Sequence, residues 1–161
     1  MTTCTTLHLL CGKIGAGKST LAGRLAQAPG TVLLSEDHLL SHLYPGEIVT
    51  IDDYVRCAVR LRKAIGPHVQ NLLRAGVSVV LDFQANTPGT RAWMRGLFEE
   101  ADAHHQLHWL CASDETCRAR LHERNAAGTH EYQVSDADFD LFNSRIVPPG
   151  DEEGFNIVRH E

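Results

Sequence analysis

Short apolar runs alternate along this chain with longer stretches in which apolar side chains return every three or four positions. The first pattern is that of strands buried in a sheet, the second that of helices with one face turned inward. Leu7-His8-Leu9-Leu10-Cys11, Thr31-Val32-Leu33-Leu34-Ser35, Val77-Ser78-Val79-Val80-Leu81, residues 106–111 and Phe155-Asn156-Ile157-Val158 read as strands. The third of these is the richest in β-branched residues, which predicts a central parallel strand; Asp82 is expected to end it and residues 83–89 to form a loop. Helical spacing covers residues 18–27 through Leu21 and Leu25, and residues 51–75 through Tyr54, Ala58, Leu61, Ile65, Val69, Leu72 and Leu73. Further helices are expected over 90–103, over 114–126 behind a Ser113 N-cap, and from a Ser135 cap through Arg145. Gly66-Pro67 is expected to kink or split the long helix, since proline carries no backbone N–H and crowds the turn before it. Strands alternating with helices predict an α/β fold, a parallel sheet between two helix layers.

Length and composition narrow this picture. The 161 residues are read as a single domain, 1–161, and a chain of this size buries about two-thirds of its unfolded surface. A content of 43% hydrophobic and 22% charged residues is that of a water-soluble globular protein. No apolar run approaches a membrane span, and residues 1–6 have neither the basic start nor the apolar stretch of a secretion signal, so the expected compartment is the cytoplasm. Five cysteines without a C-x-x-C pair are read as buried reduced thiols. Among the ten histidines, His38 and His42 lie four apart and His104, His105 and His108 cluster. With no second ligand pair at zinc-like spacing, they are read as solvated or locally hydrogen-bonded. The net charge of −5, with no basic block, is the opposite of what a nucleic-acid backbone attracts.

The chemistry begins at Gly12-Lys13-Ile14-Gly15-Ala16-Gly17-Lys18-Ser19, which has the P-loop spacing G-x-x-x-x-G-K-S/T between a predicted strand and a predicted helix. Its glycines let backbone N–H groups approach phosphate oxygens, and the helix that follows turns its positive end to the anion. Lys18 is expected at the β- and γ-phosphates and the Ser19 hydroxyl at Mg²⁺, with Thr20 next to them. Asp82, leaving an apolar strand, occupies the place of a carboxylate that holds the metal directly or through water. A kinase further needs a carboxylate that accepts the proton of the substrate hydroxyl, and Asp37 follows the second strand where it can face the γ-phosphate. Glu36 is its rival, and a capping role for Asp37 ahead of Leu39-Leu40 is the structural alternative. Of Arg118, Arg120 and Arg124, the last two share a helix face and are expected on a lid over about residues 114–134, where cations meet charge developing on the transferring group. For Arg91 both an acceptor contact and a surface position stay open.

These residues resemble the small P-loop kinases often called predicted kinases with an AAA-type ATP-binding motif. That group is related to the polynucleotide 5′-kinase domain, the zeta-toxin kinases and chloramphenicol phosphotransferase. The resemblance runs nearly end to end: the P-loop, Leu34-Ser35-Glu36-Asp37, Leu43-Tyr44-Pro45, Val79-Val80-Leu81-Asp82-Phe83, Arg120-Leu121 with Arg124-Asn125, and Pro148-Pro149 before Asp151-Glu152-Glu153-Gly154-Phe155. It implies a three-layer fold of the nucleoside-monophosphate-kinase type, with a parallel sheet in the order 2-3-1-4-5 and a helical lid. It also implies a general base at Asp37, stacking of Arg120 on adenine and contact of Arg124 with the phosphates. Phe83-Gln84-Ala85 departs from the group's pattern. The expected activity is transfer of the γ-phosphoryl group of Mg-ATP to a hydroxyl of a small molecule. A 5′-hydroxyl polynucleotide kinase and a non-catalytic ATP-binding switch are the alternatives.

Overall fold

In the computed structural model, which describes residues 4–129 and 132–161, β1 (Thr6–Cys11) is the central strand. Residues 1–3, at the start of the chain, and 130–131, inside the expected lid, lie outside the described residues. The other strands are β2 (Thr31–Ser35), β3 (Ser78–Gln84), β4 (His104–Leu110) and β5 (Ile157–His160), and all five form one parallel sheet in the order β2-β3-β1-β4-β5. Helices α1 (Lys18–Leu25), α2 (Glu36–Leu43), α3 (Ile51–Arg74), α4 (Pro88–Glu100), α5 (Asp114–Ala127) and α6 (Asp136–Ser144) cover the sheet.

Period-two alternation in the strands sorts side chains to the two faces. Leu7, Leu9, Val79 and Leu81 pack with Ala58, Leu61, Val69 and Leu73 of α3 and with Met94, Leu97 and Phe98 of α4. Leu10 and Val80 face the other way, onto Leu21 and Ala22 of α1, Cys117 and Leu121 of α5, and Phe139 of α6. Hydroxyl caps set the helix starts. Ser35, Thr87, Ser113 and Ser135 accept bonds from the N–H three residues on, and Thr50 with Asp53 closes a capping box at the head of α3.

Several expectations need correction. The long helix is neither interrupted nor split at Gly66-Pro67, where Gly66 packs against Trp93 and Leu97 of α4 and tertiary contact outweighs the local break. Asp82 does not end its strand. The chain pairs on to Gln84, and the β1–β3 register jumps from Leu9↔Leu81 to Leu10↔Gln84, so Asp82 sits at an irregularity beside the P-loop. The last strand lies two residues later than its apolar run, because Phe155 packs against Phe98 and His105 instead of joining the sheet. Ser35, not Asp37, caps α2. Among the thiols, Cys11, Cys57 and Cys117 are buried, but Cys4 is exposed beside His104, 2.8 Å from Nε2.

Several histidines contact one another or their neighbours among the described residues. His8 Nδ1 lies 3.1 Å from His108 Nε2, and His108 Nδ1 lies 3.0 Å from His160 Nε2, a chain of imidazoles across β1, β4 and β5. Burial, then the neighbouring His8 and His160, push His108 down to about 4. His105 stacks on Phe98 at 4.0 Å, while His38 and His42 are exposed on α2, with His42 Nδ1 2.8 Å from the His38 carbonyl. No helix among the described residues is long and apolar enough to cross a membrane.

Arg91 neither reaches an acceptor nor lies at the surface. It is 0% exposed, its Nε donates to both carboxylate oxygens of Glu153 at 3.1 and 3.0 Å, and its Nη1 donates to the Ala85 and Val147 carbonyls at 3.0 and 2.9 Å. It ties the loop after β3 to the segment before β5. Breaking a buried pair from one side costs about 3–5 kcal/mol, so Arg91→Ala should lose roughly that much in urea denaturation. Glu153→Gln, which keeps an acceptor and part of its exposure, should lose less.

Candidate active site

The P-loop runs from the end of β1 into α1, and its shape depends on close backbone approach. Gly15 has φ +79°, and a Cβ there would lie 2.4 Å from the Cys117 carbonyl oxygen of α5. Gly12 is held by the buried Asn86, which accepts from its N–H at 2.9 Å and donates to its carbonyl at 3.0 Å. Ala16 is buried in the α1–α5 core, Lys13 pairs with Asp114, and Ile14 and Thr20 line the cavity above the loop.

Lys18 folds over this loop, donating to the Gly12 and Lys13 carbonyls at 2.7 Å each. Burial lowers it to about 8, against the pull of Asp82 and Asp37 in the other direction. Ser19 Oγ donates to Asp82 Oδ2 at 2.9 Å. A hydroxyl beside a carboxylate is an oxygen donor set suited to Mg²⁺, which binds through one or two protein ligands and keeps several waters. These are the residues present that would hold it.

A cavity of about 750 Å³ opens over the loop and receives Asp37, Asp82, Arg120 and Arg124 together with Lys18 and Ser19. Asp37 stands in the first turn of α2, with Oδ1 3.0 Å from the Tyr54 hydroxyl. Glu36 is turned into the wall. At 2% exposure its carboxylate receives the Tyr54 hydroxyl at 2.8 Å and the Arg62 guanidinium at 3.3 Å, and burial raises its proton affinity above the ordinary carboxylate range. Arg120 Nη1 donates to the Gly15 and Ala16 carbonyls at 3.3 Å. Arg118 leaves the cavity altogether: it bonds Asp136 at 3.0 Å and Asp140 at 2.7 Å and lies over the Phe139 ring.

Sequence reasoning passed over part of this wall. Tyr54 is correctly placed on the inward face of α3, but its hydroxyl has no signature in a hydrophobic pattern. Asn86 lies in a stretch read only as a loop. Asp138, Phe142 and Arg145 of the α6 segment line the cavity at i, i+4 and i+7, a spacing that could have been read as one face.

A family model described as an AAA domain matches residues 7–149. The chain belongs to this AAA-domain family. It is a P-loop kinase-like member, and its five-stranded order is the P-loop NTPase-like one. The AAA domain is similar in structure to a candidate kinase from Chloroflexus aurantiacus, with a TM-score of 0.78 and 22% identity over 99% of this chain and 86% of that one. It is also similar to Chaetomium thermophilum Kti12, solved in complex with ADP-AlF3, with a TM-score of 0.70 and 16% identity over 96% and 89%. A gluconokinase from Sinorhizobium meliloti matches with a TM-score of 0.59 and 19% identity over 98% and 83%. No curated protein matches the sequence.

The lysine geometry makes ATP affinity depend on pH. Phosphates bound at Lys18 would need it charged and would raise its proton affinity, so affinity is expected to be full below about pH 8 and to fall as pH rises past it. The limiting slope is about tenfold per pH unit. Titration calorimetry either side of pH 8, in buffers of different ionisation enthalpy, should show weakening and proton uptake on binding.

Proposed function

We propose that this AAA domain is a kinase that transfers the γ-phosphoryl group of Mg-ATP to a hydroxyl of a small-molecule acceptor. The observation that supports this is that a carboxylate, Asp37, lines the same cavity as a P-loop lysine and a serine–aspartate pair. A non-catalytic nucleotide switch has no need of that carboxylate.

In this reading the amides of residues 12–19 and Lys18 hold the phosphate chain. Ser19 and Asp82 would hold Mg²⁺, which would supply positive charge to offset that of the phosphates. Asp37 takes the proton as the acceptor O–H bond breaks; the acceptor oxygen bonds to the γ-phosphorus; the bond to the β–γ bridging oxygen breaks, and its electron pair leaves with ADP. Arg124 and Lys18 meet the charge that develops on the transferring group. Arg120 turns from the P-loop carbonyls to the nucleotide base, with α5 acting as part of a lid that excludes water. The acidic balance of the chain, −5, favours a small acceptor over a polynucleotide end.

Asp37→Asn tests the reading. Thermal shift with Mg-ATP should be unchanged, while transfer to the best acceptor from a panel of sugars, aminoglycosides and 5′-hydroxyl oligonucleotides should fall about 10²–10⁴-fold. Transfer that survives intact would remove Asp37 as the base, and a sole response to the oligonucleotides would replace the small-molecule assignment.

A further inference from the structure

The mechanism above leaves the half-buried Tyr54 hydroxyl unused. The Tyr54 hydroxyl lies 2.8 Å from Glu36 Oε1 and 3.0 Å from Asp37 Oδ1, and on its far side Glu36 Oε2 is 3.3 Å from the Arg62 guanidinium. A phenol carries one hydrogen. It therefore serves one carboxylate at a time and turns lone pairs to the other.

We propose that Tyr54 is a positioning residue for Asp37, its hydroxyl holding the carboxylate oriented toward the acceptor, with Glu36 governing which of the two carboxylates receives the hydrogen. This rests on the reading of Asp37 as the base. A hydrogen bond given to a carboxylate stabilises its anion and fixes its rotation. When Glu36 carries a proton it donates to the Tyr54 oxygen, and the phenolic hydrogen turns to Asp37. When Glu36 is ionised the two anions compete for that hydrogen, and Asp37 is held less firmly. Burial favours the first state by raising the proton affinity of Glu36, while Arg62 opposes it. The other charged groups sharing the cavity are Lys18 on α1, Asp52 on α3, Asp82 on β3, Arg120 and Arg124 on α5, and Asp138 with Arg145 at α6. No bond to phosphorus changes in this relay. Tyr54 keeps its hydrogen throughout, and the acceptor's proton ends on Asp37.

The arrangement is testable without the acceptor. With aspartate labelled by ¹³C at the carboxyl and the Asp37 resonance identified through its loss in Asp37→Asn, the titration midpoint of Asp37 can be followed directly. Tyr54→Phe removes the donor but keeps the ring in its edge-to-face contacts with Tyr132 and Phe142, both at 6.2 Å. It should raise the Asp37 midpoint by about one pH unit, a tenfold change in proton affinity. Glu36→Gln should lower it, and that lowering should shrink in the double variant Tyr54→Phe/Glu36→Gln, because the amide acts on Asp37 through the phenol. In acceptor or water phosphorylation by Mg-ATP, Tyr54→Phe should reduce kcat roughly tenfold with KM for ATP unchanged and move the acid limb of the profile upward.

Midpoints that do not move, or a Glu36→Gln effect of the same size with and without the phenol, would overturn the relay. The base reading fails separately: titrations can follow the pattern above while Asp37→Asn leaves transfer intact, and then Tyr54 positions a carboxylate that takes no proton from the acceptor.

Discussion

The whole upper surface of this domain depends on backbone meeting backbone at the P-loop. Gly15 passes so close to the Cys117 carbonyl that no side chain fits between them, and Gly12 is gripped at both its N–H and its carbonyl by one asparagine. The first contact joins the loop to α5, the second to the segment after β3. Helix, loop and strand thus share one fixed point, and Lys18 and Ser19 take their positions from it.

The sheet order explains why the fixed point lies where it does. β1 runs between β3 and β4, with Leu7, Leu9, Leu10 and Cys11 entirely buried, so its carboxyl end is the best-anchored place in the molecule. In an open parallel sheet that end faces the crevice where ligands sit. The irregular register between β1 and β3 brings Asp82 within hydrogen-bond reach of Ser19, although both neighbours of Asp82 in the chain are core residues.

Periodicity made most of the fold legible, because burying one face is what the strands and helices have in common. The strands and helices that were read all exist, and capping hydroxyls located the heads of α5 and α6 to the residue. Errors came where a tertiary partner outweighed a local preference, as at Gly66-Pro67, or where an aromatic left its apolar run to pack elsewhere, as Phe155 did. In the cavity, Lys18 and Ser19 were legible through fixed spacing, and Asp82 and Asp37 through their places after apolar runs. Arg91 and Tyr54 were not. Nothing in a linear pattern distinguishes an arginine buried against Glu153 from one in solvent, or a tyrosine that only packs from one whose hydroxyl bridges two carboxylates.

The arginine of α5 that leaves the cavity has its own mechanical outcome. Arg118 grips Asp136 and Asp140 and covers Phe139, and Asn125 exchanges bonds with Val134, at 2.7 Å to its carbonyl and 3.4 Å from its N–H. The two helices α5 and α6 are therefore yoked. Any displacement of α5 is thereby passed to α6, whose Asp138 and Phe142 line the same cavity. The part of the cavity wall that α6 supplies is in this way tied to the helix that carries Arg120 and Arg124.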